Sequence, residues 1–111
     1  MGSHMVRHLL KNYPNYEVVN VDAMTYAGNP ANVADVSDNP RYTFYKADIA
    51  DAETMFDIIG TEKPDVILNY AAETHVDRSI LDPDAFLVTD IVGTHNLLKA
   101  VREFNIPLMV Q

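Results

Sequence analysis

Cysteine is absent from this 111-residue chain, which excludes disulfides and thiolate-ligated metal sites. The same absence points, weakly, to the cytoplasm. No apolar run approaches the roughly 20 residues needed to span a bilayer, and no signal peptide is visible. Basic residues are scarce. Eight Lys and Arg, scattered along the chain, face sixteen Asp and Glu, for a net charge of −8. A nucleic-acid groove needs a basic footprint, so that class of partner is excluded. An anionic small ligand is not, because donors at a helix start act locally. There is no internal repeat and no low-complexity linker. The length suits one domain, burying roughly two-thirds of its unfolded surface.

Chemistry is concentrated in Ile67 to Ser79, which reads I-L-N-Y-A-A-E-T-H-V-D-R-S. An apolar strand (Val66, Ile67, Leu68) gives way to Ala71-Ala72, then to Glu73, Thr74, His75, Asp77, Arg78 and Ser79. Small residues let a backbone approach a ligand, and dense polar chemistry beside a buried strand is costly unless it is used. In open α/β sheets ligands bind beyond the carboxyl ends of strands, which makes this stretch the expected site.

Around it, strands alternate with helices. Val6 to Lys11 predicts the end of a helix closed by Asn12-Tyr13-Pro14-Asn15, and the β-branched Glu17 to Val21 predicts a buried strand. Turns are expected at Tyr26 to Asn32 and at Asp38-Asn39-Pro40, with a strand at Arg41 to Lys46. Asp51 reads as an N-cap, Ala52 to Ile59 as a helix stopped by Gly60, and Val66 to Asn69 as the next strand. Asp82-Pro83 opens a long helix with Phe86, Gly93, Leu97, Ala100, Val101 and Phe104 on one face, and Pro107 to Val110 starts a last strand. The alternation predicts a mostly parallel sheet with helices on both faces.

Several side chains are candidates on their own chemistry. Asp22 follows a strand, where dinucleotide-binding folds place a carboxylate that accepts hydrogen bonds from ribose hydroxyls and repels a 2′-phosphate. A plain turn aspartate is the alternative. Asp48-Ile49 suits an adenine ring, the carboxylate to its amine and Ile49 to its face; capping of the helix near Asp51 is an equal reading. Tyr42 and Lys46 have the Y-x-x-x-K spacing of a dehydrogenase pair, but on a strand four residues span roughly 13 Å, so they cannot share one hydroxyl. His75 and Asp77 lack a third ligand at metal-site spacing. His8 and His95 fall on predicted helices.

Taken together, V-V-N-V-D-A-M-T-Y-A-G-N, then A-D-I, A-A-E-T-H-V-D-R-S-I and T-D-I-V-G-T-H-N-L-L closely resemble the dTDP-glucose 4,6-dehydratases. These are extended short-chain dehydrogenase/reductases built on a Rossmann fold. The resemblance implies NAD as cofactor, lined by Asp22, Ala23, Met24 and Thr25 at the ribose and by Asp48 and Ile49 at adenine. Tyr70, Ala71, Ala72, Glu73 and Thr74 would pass the pyrophosphate and nicotinamide, Thr74 also touching the nucleotide sugar, and Thr89 would complete the contacts. It places Asp22 and the Ala71-Ala72 bend on one rim. Where the family has asparagine, this chain has Asp90.

The family reaction oxidises the sugar C4 hydroxyl with NAD, eliminates water across C5 and C6, and returns the hydride to C6, a lyase activity. The resemblance implies that the first, central strand of the order 3-2-1-4-5 and the leading glycines precede this stretch. The acid/base residues and helical Tyr-x-x-x-Lys would follow Gln111. The expectation is therefore a partial, doubly wound Rossmann-like α/β domain over 6–111, with no catalytic residue of its own and no activity alone. Residues 1–5 (Met1-Gly2-Ser3-His4-Met5) read equally as a tag scar or as the end of the glycine-rich loop. The gap left by the central strand would close by direct pairing of the flanking strands, or be filled from a partner chain in a homo-oligomer or strand-exchanged dimer. A nucleotide-sugar 4-epimerase or decarboxylase, and a non-catalytic structural unit, are the competing readings.

Overall fold

The computed structural model describes residues 1–26, 28–73 and 80–111. They form two compact units, Met1–Ala47 and Asp48–Gln111.

In the first unit, helix α1 (Gly2–Asn12) buries Val6 and Leu10, one helical turn apart, with Val18 of strand β1 (Val18–Asp22). The β-branched Val18, Val19 and Val21 favour the extended chain. Strand β2 (Tyr42–Lys46) runs parallel to β1, in register from Val18 opposite Tyr42 to Asp22 opposite Lys46. Between them lies a 3₁₀ turn, Pro30–Val33, whose N-cap Asn29 accepts the Ala31 N–H at 3.0 Å. One side chain closes the end of α1. The Arg41 guanidinium donates to the carbonyl of Leu10 (2.7 Å), an acceptor that the helix end leaves open, and to those of Tyr13 (3.0 Å) and Tyr16 (2.9 Å) just beyond it. Arg7 meets both carboxylate oxygens of Asp35, at 3.0 and 2.9 Å, and also donates to the Asn32 carbonyl.

In the second unit, Asp51 caps helix α2 (Ala52–Glu62) as expected, accepting the Thr54 N–H at 3.2 Å and its hydroxyl at 2.6 Å. Met55, Ile58 and Ile59 form its buried face. Gly60 does not stop this helix. The chain continues to Lys63, which takes the left-handed conformation (φ 45°) and returns its N–H to the Ile59 carbonyl. Gly60 serves a different need, since a β-carbon there would lie 2.9 Å from the Phe104 ring. Strand β3 (Val66–Leu68) pairs in parallel with β4 (Leu108–Val110), Val66 opposite Leu108 and Leu68 opposite Val110.

The long helix begins at the Asp82 cap with Pro83 in its first turn, but it is not uniform. A short α-helical turn α3 (Pro83–Phe86) leads into a π-helical segment, Leu87–Gly93, and then α4 (Thr94–Glu103). Gly93, Asn96, Leu97 and Ala100 are its buried positions.

Among the described residues the ladders are two two-stranded parallel sheets, β1–β2 and β3–β4. Direct pairing of the 17–21 and 66–69 strands, one of the two outcomes expected, is not among them. Each strand pairs with the other strand of its own unit, reached through an intervening crossover as parallel pairing requires. No helix among the described residues is long and apolar enough to cross a membrane.

Candidate functional site

The first unit presents its candidates where β1 ends. Asp22 closes the strand, and its Oδ1 accepts the N–H of Met24 at 2.7 Å. That tight turn holds Met24 at φ 54°, a left-handed conformation that costs a residue with a side chain ~1–2 kcal/mol. Gly28 completes the loop by donating to the Thr25 carbonyl at 2.8 Å. A β-carbon on Gly28 would stand 2.7 Å from Met24 Cα, so only glycine fits. Ala23 and Met24 are half-buried, while Asp22 and Thr25 are exposed. A carboxylate offers about four lone-pair sites, so Asp22 can accept further bonds while it holds the turn.

The second unit carries its own candidates in three segments. At its start, Asp48 Oδ1 accepts the Ala50 N–H at 2.9 Å, and the Asp48 carbonyl accepts the Asp51 N–H at 3.0 Å. Both readings of this segment therefore coexist: the turn leads straight into the Asp51 cap, and the Asp48 side chain remains exposed. Ile49 is 8 % exposed and lies against Gly93. The Thr54 hydroxyl, then its N–H, hold the Asp51 carboxyl below the ordinary carboxylate range.

Beyond β3, Asn69 extends the ladder by donating its N–H to the Val110 carbonyl at 2.8 Å. Its side chain accepts the Ala71 N–H at 3.1 Å and donates to Gln111 Oε1 at 2.9 Å. Tyr70, Ala71 and Ala72 are exposed in this segment, and the Glu73 N–H donates to Asp90 Oδ1 at 3.0 Å. The segment is thus fixed at both ends with two methyl-sized side chains between. Asp90 uses only an acceptor oxygen, which aspartate and asparagine share, so an asparagine at this position would keep the bond. Thr89, half-buried, precedes it in the π-helical segment, a feature found frequently at functional sites.

Ala27 and Thr74, His75, Val76, Asp77, Arg78 and Ser79 lie outside the described residues, and with them the expected substrate contact of Thr74 and the His75/Asp77 pair. Among the described residues no three His, Cys, Asp or Glu gather as metal ligands. Tyr42 and Lys46 stand on strand β2, and the Tyr42 hydroxyl accepts from Asn20 Nδ2 at 3.0 Å. His8 and His95 are exposed on α1 and α4. Sequence reasoning missed Asn96, whose amide donates to the carbonyls of Ile49 and Ala50. The available signal was a polar side chain inside an otherwise apolar helical stripe.

Parallel strands, helical crossovers and structured loops at the strands' carboxyl ends define a Rossmann-like α/β fold. The chain belongs to the GDP-mannose 4,6 dehydratase family, whose sequence pattern matches residues 1–110. It is 52 % identical over 104 residues to dTDP-glucose 4,6-dehydratase 1 of Escherichia coli (strain K12), covering 94 % of this chain and 28 % of that protein. Among solved structures, DesIV, a dTDP-glucose 4,6-dehydratase from Streptomyces venezuelae with NAD and TYD bound, superposes with a TM-score of 0.91 at 39 % identity. That match covers 99 % of this chain and 35 % of the other. A UDP-glucose 4-epimerase from Thermotoga maritima is also similar, with a TM-score of 0.85 at 29 % identity over 97 % of this chain and 32 % of its own. The chain therefore spans about 28 % of the length of the curated relatives it matches.

Proposed function

We propose that these residues supply part of the NAD-binding region of a dTDP-glucose 4,6-dehydratase, a nucleotide-sugar lyase. The observation that carries the reading is the Asp22 turn. An exposed carboxylate ends a parallel strand and is locked by Met24 and Gly28, in a chain more than half identical to such an enzyme. The residues fit the cofactor. Asp22 accepts from the ribose hydroxyls and disfavours a 2′-phosphate, Ala23, Met24 and Thr25 line the same loop, and Asp48 accepts from the adenine amine beside Ile49. Tyr70, Ala71, Ala72 and Glu73 run along the dinucleotide, with little side-chain bulk at Ala71 and Ala72, and Thr74 and Thr89 adjoin. Bound there, NAD would supply the hydride acceptor for the sugar C4 and the hydride donor for C6. The chain's own part is to bind and orient.

Catalysis by these 111 residues alone is not part of the proposal, because the described residues hold no helical Tyr-x-x-x-Lys pair. A cytoplasmic location, a nucleotide-sugar substrate and self-association belong to the same reading. The likeness to a UDP-glucose 4-epimerase supports a second reading, that of an epimerase segment, at lower identity. Titration calorimetry with NAD, NADP and dTDP tests the proposal. NAD binding that exceeds NADP binding is the expected result, and silence with NAD overturns it in favour of a purely structural role.

A further inference from the structure

Asn96 is the buried polar side chain of α4, only 5 % exposed. Its Nδ2 donates to two consecutive carbonyls, Ile49 at 3.1 Å and Ala50 at 3.0 Å. A primary amide has two N–H donors, and both are spent on one turn. Three residues earlier on the same helix, Gly93 offers bare backbone. A β-carbon there would stand 2.5 Å from Ile49 Cγ1 and 2.6 Å from Cδ1. The turn is thus held twice from the helix, through its carbonyls and through the side chain of Ile49. Its third constraint is internal, the Ala50 N–H to Asp48 Oδ1 bond that orients the exposed carboxylate.

We propose that Asn96 and Gly93 are positioning residues that fix the Asp48 carboxylate for purine selection, so that adenine is accepted and hypoxanthine rejected. The inference rests on the reading of Asp48 and Ile49 as the adenine contact. An ionised carboxylate only accepts hydrogen bonds. Adenine presents an amine donor at the exocyclic position, whereas hypoxanthine presents a carbonyl acceptor. The discrimination exists only if the carboxylate is held at one place, since a free carboxylate would turn to water. Cutting the amide fork releases the two carbonyls and lets the turn move. Filling Gly93 displaces Ile49 from the helix by steric contact, with the helix itself favoured.

The test measures calorimetric affinities of the 111-residue chain for NAD and for nicotinamide hypoxanthine dinucleotide. The unaltered chain, Asp48→Ala, Asn96→Ala and Gly93→Ala are compared, with circular dichroism establishing that each is folded. Hydrogen exchange of the Ala50 and Asp51 amides is followed by NMR in parallel. The unaltered chain is expected to prefer NAD by roughly tenfold or more, the size of one good hydrogen bond to a charged group. Asp48→Ala brings that ratio close to one. Asn96→Ala and Gly93→Ala do the same and speed exchange at Ala50 and Asp51. If Asp48→Ala collapses the ratio but Asn96→Ala and Gly93→Ala leave it intact, the positioning inference is overturned while the cofactor reading stands. If Asp48→Ala leaves the ratio unchanged, or neither dinucleotide binds, the adenine contact itself is wrong and the selection falls with it. Unchanged exchange in Asn96→Ala would remove the positioning role whatever the ligand result. Should Asn96→Ala fail to fold, Gly93→Ala carries the same comparison.

Discussion

The ring of Phe104 occupies the space where a β-carbon on Gly60 would have to stand, 2.9 Å from the ring's tip. The ring also meets Phe56 edge-on, with centroids 5.8 Å apart, so its freedom to give way is limited. Gly60→Ala therefore sets two effects against each other. Alanine in a helix interior gains about 1 kcal/mol over glycine. Overpacking a fitted contact costs about 1–3 kcal/mol. The steric cost wins, and urea denaturation is expected to show a net loss of ~1 kcal/mol. Adding Phe104→Leu should return much of it; equal losses with and without that second change would mean the ring is not the cause.

Gly28 faces main chain rather than a ring, and main chain cannot swing aside. A β-carbon there would lie 2.7 Å from Met24 Cα and 3.0 Å from its carbonyl carbon. Gly28→Ala is expected to lower stability by about 2 kcal/mol or more and to open the Asp22 turn. NAD affinity should drop in the same variant, and a titration with unaltered affinity would separate the turn from the cofactor.

Asp22 divides its carboxylate between its own chain and solvent. Asp22→Ala removes the acceptor for the Met24 N–H and for a ribose, and is expected to weaken NAD by roughly 1.5–3 kcal/mol, the worth of hydrogen bonds to a charged group. Asp22→Asn keeps an oxygen for Met24 and removes the charge. Its expected signature is a narrower preference for NAD over NADP, read from paired titrations.

Acid should loosen the first unit through Asp35. The Arg7 guanidinium, bonded to it, holds the Asp35 carboxyl below the usual carboxylate range. Because the folded value lies below the unfolded one, near 4, the contribution is complete above that pH. It disappears as pH falls through the folded value. Asp51, lowered by Thr54, behaves alike in the second unit. Both groups are exposed, so the effect is modest and weakened by salt. Melting temperatures from pH 7 down to 2 should fall less steeply for Asp35→Asn than for the unaltered chain.

Much of this fold was readable in the sequence, for local reasons. Val18, Val19 and Val21 announce a strand, and Asp51 and Asp82-Pro83 announce helix starts, because capping and β-branching act within a few residues. Gly60 misled because a glycine that ends a helix and one that admits a neighbouring ring look the same in one dimension. The actual stop, Lys63, carries no residue-type signal for a left-handed conformation. The candidate site was legible only in its local setting: the Asp22, Asp48 and Ala71-Ala72 segments lie at strand or turn ends. The bonds that fix them, Asn96 to Ile49 and Asp90 to Glu73, join residues 47 and 17 positions apart. Local pattern cannot show such pairings.

The widened turns of Leu87–Gly93 have a consequence for how this helix can change over generations. Each such turn takes in more residues than an ordinary one, so the stretch alters the angular phase of everything after it. Phe86 and Asn96 cannot be set on one helical wheel. Relaxing to regular pitch with all seven residues kept would swing Asn96 roughly a third of a turn away from the Ile49 carbonyl, whereas losing one residue would let the coil relax and leave Asn96 near its present phase. Lineages should therefore absorb the loss of one residue in this stretch more readily than the gain of one.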